Sequence, residues 1–468
     1  MIAARNGADV LSASEKQAIH RSALRILSEI GVQLEHAGML EHMASCGYPV
    51  DVSAQRVRFP SERVEAFLAE CPKVDWATRV PALRTDAEVF AGRYLVPGTE
   101  RTVPWTQELF DSYSTIVRQL AEVDNLTFLG VPYRLPPALH PLYERLHAWR
   151  HGAVPGGSVH PLSSSEALWD LVQTYASLKN KPVAEVFNGV CFMISPLRLA
   201  AEECQQFWFW FRKGMRLSIG DMPTGGSSTP VTLAGHVTMQ LAERLAILLI
   251  QQAFFGETHG YISTGMGFAD MRTMCRPFGR PELPLANAMM ASMARHYAIG
   301  VFGHSGLTDA KLPSEEAGAQ KCCTTLATLL CGADAFLCIG SLSLDEIVSP
   351  IQAILDCEYV RILRRFLKEY EVTDERIGLE VIRQVGPGGS FMATEHTARF
   401  HRDELWQPQL WQREMFAAWE SRDRTKDVDR ALAFYNELAS RPAPPSALSE
   451  HEESELMKVV RRAESLYA

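Results

Sequence analysis

No CxxC pair and no Cys/His spacing typical of zinc sites occurs in this sequence, although it holds ten cysteines, at positions 46, 71, 191, 204, 275, 322, 323, 331, 338 and 357. Several lie inside apolar runs, so reduced, buried thiols are expected. An excess of basic charge is missing too. The 46 Lys and Arg against 55 Asp and Glu give a net charge of −9, which leaves no electrostatic footprint for nucleic acid or an anionic membrane surface. No stretch is both long and uncharged: the longest apolar candidate, residues 231–255, contains His236, Glu243 and Arg244 and cannot be an uncharged membrane span. Residues 1–14 lack a basic start followed by an apolar core, so a secretory leader is not expected and a cytoplasmic location is.

What is present is an alternation. Four short apolar segments, residues 216–221, 261–265, 301–306 and 335–341, are separated by helical stretches and end in small and polar residues such as Gly220-Asp221, Thr264-Gly265, His304-Ser305-Gly306 and Gly340-Ser341. Parallel strands alternating with helices read in this way, and the expected fold is α/β, a TIM-type (β/α)8 barrel whose strand ends face one mouth. At 468 residues the chain has room for such a barrel plus appendages. Two further strands are expected at residues 126–130 and 183–187. The remaining two are sought either in the lead-in or in the irregular stretch 386–400.

The lead-in reads as small α+β. A helix is expected over residues 14–31, with Ser14 as N-cap and Gly31 as its stop, followed by a second helix to Ser45. A hairpin pairs Val50-Asp51-Val52 with Val57-Arg58-Phe59, and a third helix starts at Pro60. Three regions result: an N-terminal α+β extension at 1–115, a barrel at 116–402 and a C-terminal helical arm at 403–468. The arm would either cross to another subunit or pack on its own barrel.

The loops after the strands carry the candidate chemistry. Residues 224–230 place Gly225 and Gly226 before Thr229, an expected N-cap, and Pro230, an expected first helical residue. Free amides there would hold a carboxylate or phosphate oxygen, or the glycines serve only a tight turn. His304, Ser305, Thr308, Asp309 and Lys311 crowd imidazole, hydroxyls, carboxylate and amine into eight residues. Lys311 is either a Schiff-base amine or the ion-pair partner of Asp309. Asp345 and Glu346 are adjacent acids of which one would face the cavity, either to attract a cationic substrate or to serve the helix that starts at Ser349-Pro350. Gly386-Pro387-Gly388-Gly389-Ser390-Phe391 is flexible enough for a lid or a close backbone approach. Trp105, Tyr133, Phe187, Phe268 and Phe391 could supply an ammonium cage, although aromatics are mostly core.

Five motifs, in order, carry a resemblance: Arg25-Ile26-Leu27-Ser28-Glu29-Ile30-Gly31-Val32, Pro230-Val231-Thr232-Leu233-Ala234-Gly235, Gly306-Leu307-Thr308-Asp309-Ala310-Lys311, residues 381–389 ending in Gly386-Pro387-Gly388-Gly389, and Trp406-Gln407-Pro408. Together they resemble the trimethylamine methyltransferase family over nearly the whole chain. The resemblance implies a barrel that takes a methyl group from a quaternary or tertiary methylated amine and gives it to the cobalt of a corrinoid held by a separate small protein. The archaeal trimethylamine enzymes of that family use pyrrolysine, and none stands here, so the resemblance points to a quaternary amine of the glycine betaine kind.

On this reading the expected catalytic residues are His304, Asp309 and Glu346. Gly226, Thr229, Asp345, Phe391, Gly388 and Gly389 are expected to bind the substrate. No metal ligand is assigned, a cobalamin-type corrinoid enters only on its carrier, and a homo-oligomer without nucleic acid or membrane partners is expected. Two other readings stand beside it, an aldolase-like barrel using Lys311 and a quaternary-amine binding protein without catalysis.

Overall fold

A computed structural model of the protein describes residues 8–89, 92–128, 135–153, 155, 157–265, 267–422 and 424–467. Tyr133, Met266 and the end of the expected strand at 129–130 lie outside the described residues. The fold is mixed α/β. Seven strands run parallel: β1 Leu83–Val89, β2 Asn125–Phe128, β3 Val190–Met193, β4 Ser218–Asp221, β5 Tyr261–Ser263, β6 Gly300–Gly303 and β7 Asp334–Cys338. They form a five-stranded sheet in the order β5-β6-β7-β1-β2 and a β4-β3 pair. The last strand therefore lies beside the first, with Ala335 opposite Leu83 and Cys338 opposite Asp86. A parallel bridge sets Ser158 beside Val190 of β3, and another, between Gly225 and Phe268, joins the loops that follow β4 and β5.

Helices alternate with the strands: α1 Gln107–Val117, α2 His140–Arg150, α3 Ser165–Leu178, α4 Ala201–Arg212, α5 Leu233–Phe255, α6 Glu282–Tyr297, α7 Glu315–Leu330 and α8 Pro350–Leu367. Helix α5 is apolar on nearly every face because it is enclosed; 78% of its most apolar 18-residue window is buried inside the fold. Burying Leu241, Leu245, Leu249 and Ile250 fully contributes roughly 1.5–3 kcal/mol each.

Several expectations shift by a turn or more. Residues 183–187 are not a strand. Pro182 fixes the backbone for a helical start, Phe187 N–H donates to the Val183 carbonyl (2.8 Å), and the strand begins only at Val190. The strand missing from the sequence reading is Leu83–Val89, in the lead-in, so the parallel layer starts before residue 115; residues 386–400 contribute no strand. The first helix is capped by Ser12 rather than Ser14, because Ser12 and Glu15 bond each other's backbone N–H groups in a capping box. It ends at Gly31, whose φ of +75° and approach to the Val57 carbonyl leave no room for a side chain. The hairpin Val50–Asp51 with Arg56–Val57 forms as expected and joins Val32–Leu34 and Arg198–Leu199 in a small separate sheet.

The C-terminal arm packs on its own chain. Helix Asp427–Ser440 lies on α8, and helix Glu450–Tyr467 lies on α3 with Leu456 and Val460 fully buried. None of the ten cysteines is in a disulfide; six of them are buried and Cys275 and Cys323 are exposed.

Candidate active site

Strand β6 ends at Gly303, where a side chain would strike Thr328 and Asn287, and that close packing lets Asn287 reach the next residue. Asn287 Nδ2 donates to the His304 carbonyl (2.8 Å), while His304 N–H donates to Thr264 Oγ1 (2.8 Å) at the end of β5. The imidazole is thereby aimed by its neighbours on both sides. It stacks on Phe278 (centroids 5.5 Å, 29°) and tilts against Phe336 of β7 (6.2 Å). Burial, followed by the positive charges of Arg276 and Arg244, pushes His304 down to about 4, so the ring is neutral at pH 7. Its Nδ1 has no hydrogen-bond partner among the described residues.

Arg276 lies over the Phe278 ring, 5.8 Å from its centroid, and touches Thr224 Oγ1 (3.5 Å). Its Nε is buried without a partner among the described residues. Burial pulls the guanidinium below its ordinary value, and Asp345 opposes that pull. Asp345 is itself pushed up to about 6 by burial, against Arg276. Three successive non-glycine residues, Ser343, Leu344 and Asp345, have φ of 53°, 69° and 128°. Such backbone costs on the order of 1–3 kcal/mol per residue and must be held by its surroundings. Ser343 N–H donates to the Ala310 carbonyl (2.7 Å) and Leu344 N–H to that of Thr308 (2.9 Å). Behind the loop, the fully buried pair Lys321–Asp356 (2.6 Å) fixes the turn, Asp356 accepting from Gly340 N–H (2.7 Å).

Asp309 does not stand free beside His304. Its two oxygens accept from Phe278 N–H (2.7 Å) and Gly279 N–H (3.0 Å), so it clamps the loop that presents Arg276 and Phe278. Glu346 is exposed and accepts from Ser343 Oγ (3.0 Å), so of the two adjacent acids Asp345 is the one turned toward Arg276. Lys311 is exposed, and the carboxylate expected to pair with it is committed to the two loop amides.

The glycine loop after β4 spends its own amides. Gly225 N–H donates to Gly267, Gly226 N–H to Thr229, and the amides of Ser227, Ser228 and Thr229 all to the Thr224 carbonyl. A carboxylate or phosphate cradle at Gly226 is therefore ruled out in this conformation. Thr229 is not the N-cap; Thr232 caps α5 through Gly235 N–H (3.2 Å), and Thr229 Oγ1 instead meets His236 Nδ1 at 2.6 Å. Gly388, Gly389 and Phe391 lie on an exposed lobe, residues 374–404, and the structure does not bring them together with His304. Of the other aromatics, Trp105 packs on Phe110, Phe187 on Trp210, and Phe268 on His236.

The sequence reading missed several residues that converge here. Asp221 ends β4 and pairs with Arg244 of α5; burial pushes Asp221 up to about 6. Gln240, one helical turn before Arg244, is buried with both amide atoms unpartnered among the described residues, pressed against Gly265. Arg276 and Phe278 sit in Arg276-Pro277-Phe278-Gly279-Arg280-Pro281, where two arginines set between prolines and a glycine were the only local signal. Unpartnered polar atoms on His304, Arg276 and Gln240 form unspent hydrogen-bond capacity at neighbouring strand ends, which is the mark of a ligand site.

Residues 3–95 and 162–466 match the model of the family described as trimethylamine methyltransferase (MTTB). The chain belongs to the trimethylamine methyltransferase family. As a member it is a methyltransferase, as the sequence motifs had indicated. It is similar to the glycine betaine methyltransferase of Desulfitobacterium hafniense (strain Y51), 25% identical over 460 residues and covering 94% of each chain. The trimethylamine methyltransferase MttB of Methanosarcina barkeri (strain Fusaro / DSM 804) is 26% identical over 441 residues, 89% of this chain and 88% of that one. The solved monomethylamine methyltransferase MtmB of Methanosarcina barkeri aligns with a TM-score of 0.49 at 9% identity, covering 99% of this chain and 90% of that one. Every member of the site, from Asp221 to Glu346, lies within the matched part of this methyltransferase.

Proposed function

We propose that this methyltransferase moves a methyl group from a quaternary amine of the glycine betaine kind to a corrinoid carried by a separate small protein. The observation that carries the reading is Arg276 lying over the Phe278 ring on which His304 stacks, with the charge of Asp345 acting on that guanidinium. A zwitterion needs that combination: a guanidinium for its carboxylate, and aromatic faces with a nearby anion for its methylated ammonium. Asp309 is assigned as the residue that positions Arg276, and Glu346 as negative charge at the entrance.

The two sheets and two bridges are read as arcs of one closed (β/α)8 barrel, since β7 returns to β1; the strand ends then share one mouth. Methyl transfer from a quaternary nitrogen breaks one C–N bond, leaves its electron pair on nitrogen and releases a neutral tertiary amine. No proton has to be supplied, which suits a neutral His304. A corrinoid on its carrier, when docked, would supply reduced cobalt as the electron-pair donor that takes the methyl carbon as the C–N bond breaks. A large flat cofactor delivered from outside fits the rim, where Met222, Val231, Met271 and Met274 are exposed on the loops after β4 and β5. Free cysteines suit a cytoplasmic setting, and the apolar surface of the lobe, with Ile377, Leu379 and Met392 exposed, suits self-association.

The test is a methyl-transfer screen with a reduced corrinoid protein, read by the change from the Co(I) to the methyl-Co(III) spectrum. Transfer from a quaternary amine bearing a carboxylate is expected, with loss of the preference for the carboxylate in Arg276→Gln. Absence of transfer from every quaternary amine, or equal rates with tertiary amines, would overturn the reading.

A further inference from the structure

Helices α1 and α2 carry a second group of donors outside the strand ends. His147 and His151 stand four residues apart at the end of α2, on one face of it, and both turn Nε2 toward Asp111 of α1. His147 Nε2 lies 3.6 Å and His151 Nε2 3.5 Å from the same oxygen, Asp111 Oδ1, and all three donor atoms fall within 4.8 Å of one another. We propose that Asp111, His147 and His151 are a binding site for one zinc-type divalent metal ion, which ties α1 to α2.

The spacing is the first argument. Hydrogen bonds from imidazole to carboxylate close to about 2.7–2.9 Å. Two ligands of a tetrahedral zinc with bonds of about 2.0–2.1 Å stand roughly 3.3–3.4 Å apart. The observed separations lie near the second value. Two imidazoles and a carboxylate are also a donor set that suits zinc. Asp111 keeps 49% of its side-chain surface open to solvent, which leaves a fourth position for water.

The surroundings can orient both rings for a metal. Gln107 lies 2.8 Å from His147 Nδ1 and also hydrogen-bonds Asp111, so it holds the two groups beside each other. Arg118 Nη1 divides itself between His151 Nδ1 (3.4 Å) and the Pro444 carbonyl (3.4 Å); giving it wholly to the carbonyl frees His151 Nδ1 to carry a proton. Phe110 packs edge-on against His147 (5.0 Å) and fixes the ring from the apolar side. The three residues fall in 96–161, the segment that the family match leaves out.

The full-length protein, stripped with a chelator and desalted, would be titrated with Zn2+ or Co2+ and its metal counted after equilibrium dialysis. One ion per chain is expected, with a tetrahedral-type visible spectrum for Co2+ and a rise in Tm on adding Zn2+. Asp111→Asn and His151→Gln, both close in size to the native residues, should weaken binding by about 10-fold or more and remove the cobalt band. Failure of wild-type protein to bind either metal above background, or unchanged stoichiometry and spectrum in folded Asp111→Asn, would overturn the proposal. If both variants fail to fold, the wild-type titration decides alone.

Discussion

The strand ends around His304 and the lobe at residues 374–404 are both dense in charged and aromatic side chains, yet they are opposite in state. In the lobe several long side chains pair at the surface: Arg376 bonds Glu371 (2.9 Å) and also meets Asp403 and Glu404, while Arg399 meets Glu375. Such pairs are screened and worth about 0–1 kcal/mol. At the strand ends, burial displaces the titration of His304, Asp345 and Asp221, and polar atoms of His304, Arg276 and Gln240 stand without partners among the described residues. Density of functional groups does not mark a site. Unspent capacity where water is scarce, together with the displaced titrations beside it, is what supports the proposed site at the strand ends.

Removing Arg276 tests this contrast hardest. Arg276→Ala should lower kcat/KM for methyl transfer by about 100-fold or more, close to 3 kcal/mol of transition-state stabilisation, while Arg399→Ala in the lobe should leave it unchanged. A comparable loss from both would erase the distinction.

The scaffold behind the Asp345 loop should show the next largest effect. Lys321→Met leaves Asp356 as a buried, uncompensated charge, and the expected cost is about 3–5 kcal/mol in urea unfolding. Arg376→Met, in a solvent-screened network, should leave the urea midpoint close to that of the wild type.

The pH dependence of stability sharpens the contrast further. Burial, with Asp221 adding, pushes Glu243 up to about 7, so the folded state holds its proton more tightly than the unfolded chain does. The stability this group contributes is complete below its unfolded value, about 4.3, and is lost as the pH rises through 7. Wild-type protein should therefore lose stability between about pH 4.3 and pH 7, by at most about 1.4 kcal/mol per unit from this group. Glu243→Gln, which can still accept from Leu197 N–H, should flatten that slope. An identical slope in the variant would place the titration elsewhere.

Phe391→Ala should have the smallest effect. Phe391 is 44% exposed on the lobe, so stability should change by no more than about 0.5 kcal/mol and the KM for substrate should stay the same. A raised KM would show that the lobe reaches the mouth and would narrow the difference between the two regions.

Local signals in the sequence were read well where the cause is local. The strands at 216–221, 261–265, 301–306 and 335–341 form where expected, as do the N-cap at Ser349 and the stop at Gly31. The errors lie where a local signal had two solutions. Residues 183–187 carry a strand-like composition behind a proline that starts a turn, and Thr229-Pro230 looked like the cap that Thr232 provides three residues later. Of the residues proposed for the site, His304 and Asp345 were legible as polar residues beyond strands. Arg276, Phe278 and Gln240 were not, because their placement depends on a loop clamped by Asp309 and on a helix packed against β4.

The sequence by itself determined the alternation of strands and helices, the caps at their ends and membership in the methyltransferase family, since all three rest on the order and spacing of residues along the chain. The tertiary structure decided which groups are spent and which are open. It turned the glycine loop's amides inward, committed Asp309 to two backbone N–H groups, and left His304, Arg276 and Gln240 facing one another's surroundings with capacity to bind. The physical reason is that hydrogen-bond satisfaction and desolvation are set by what lies across space, and the chain brings those neighbours from four different strand ends.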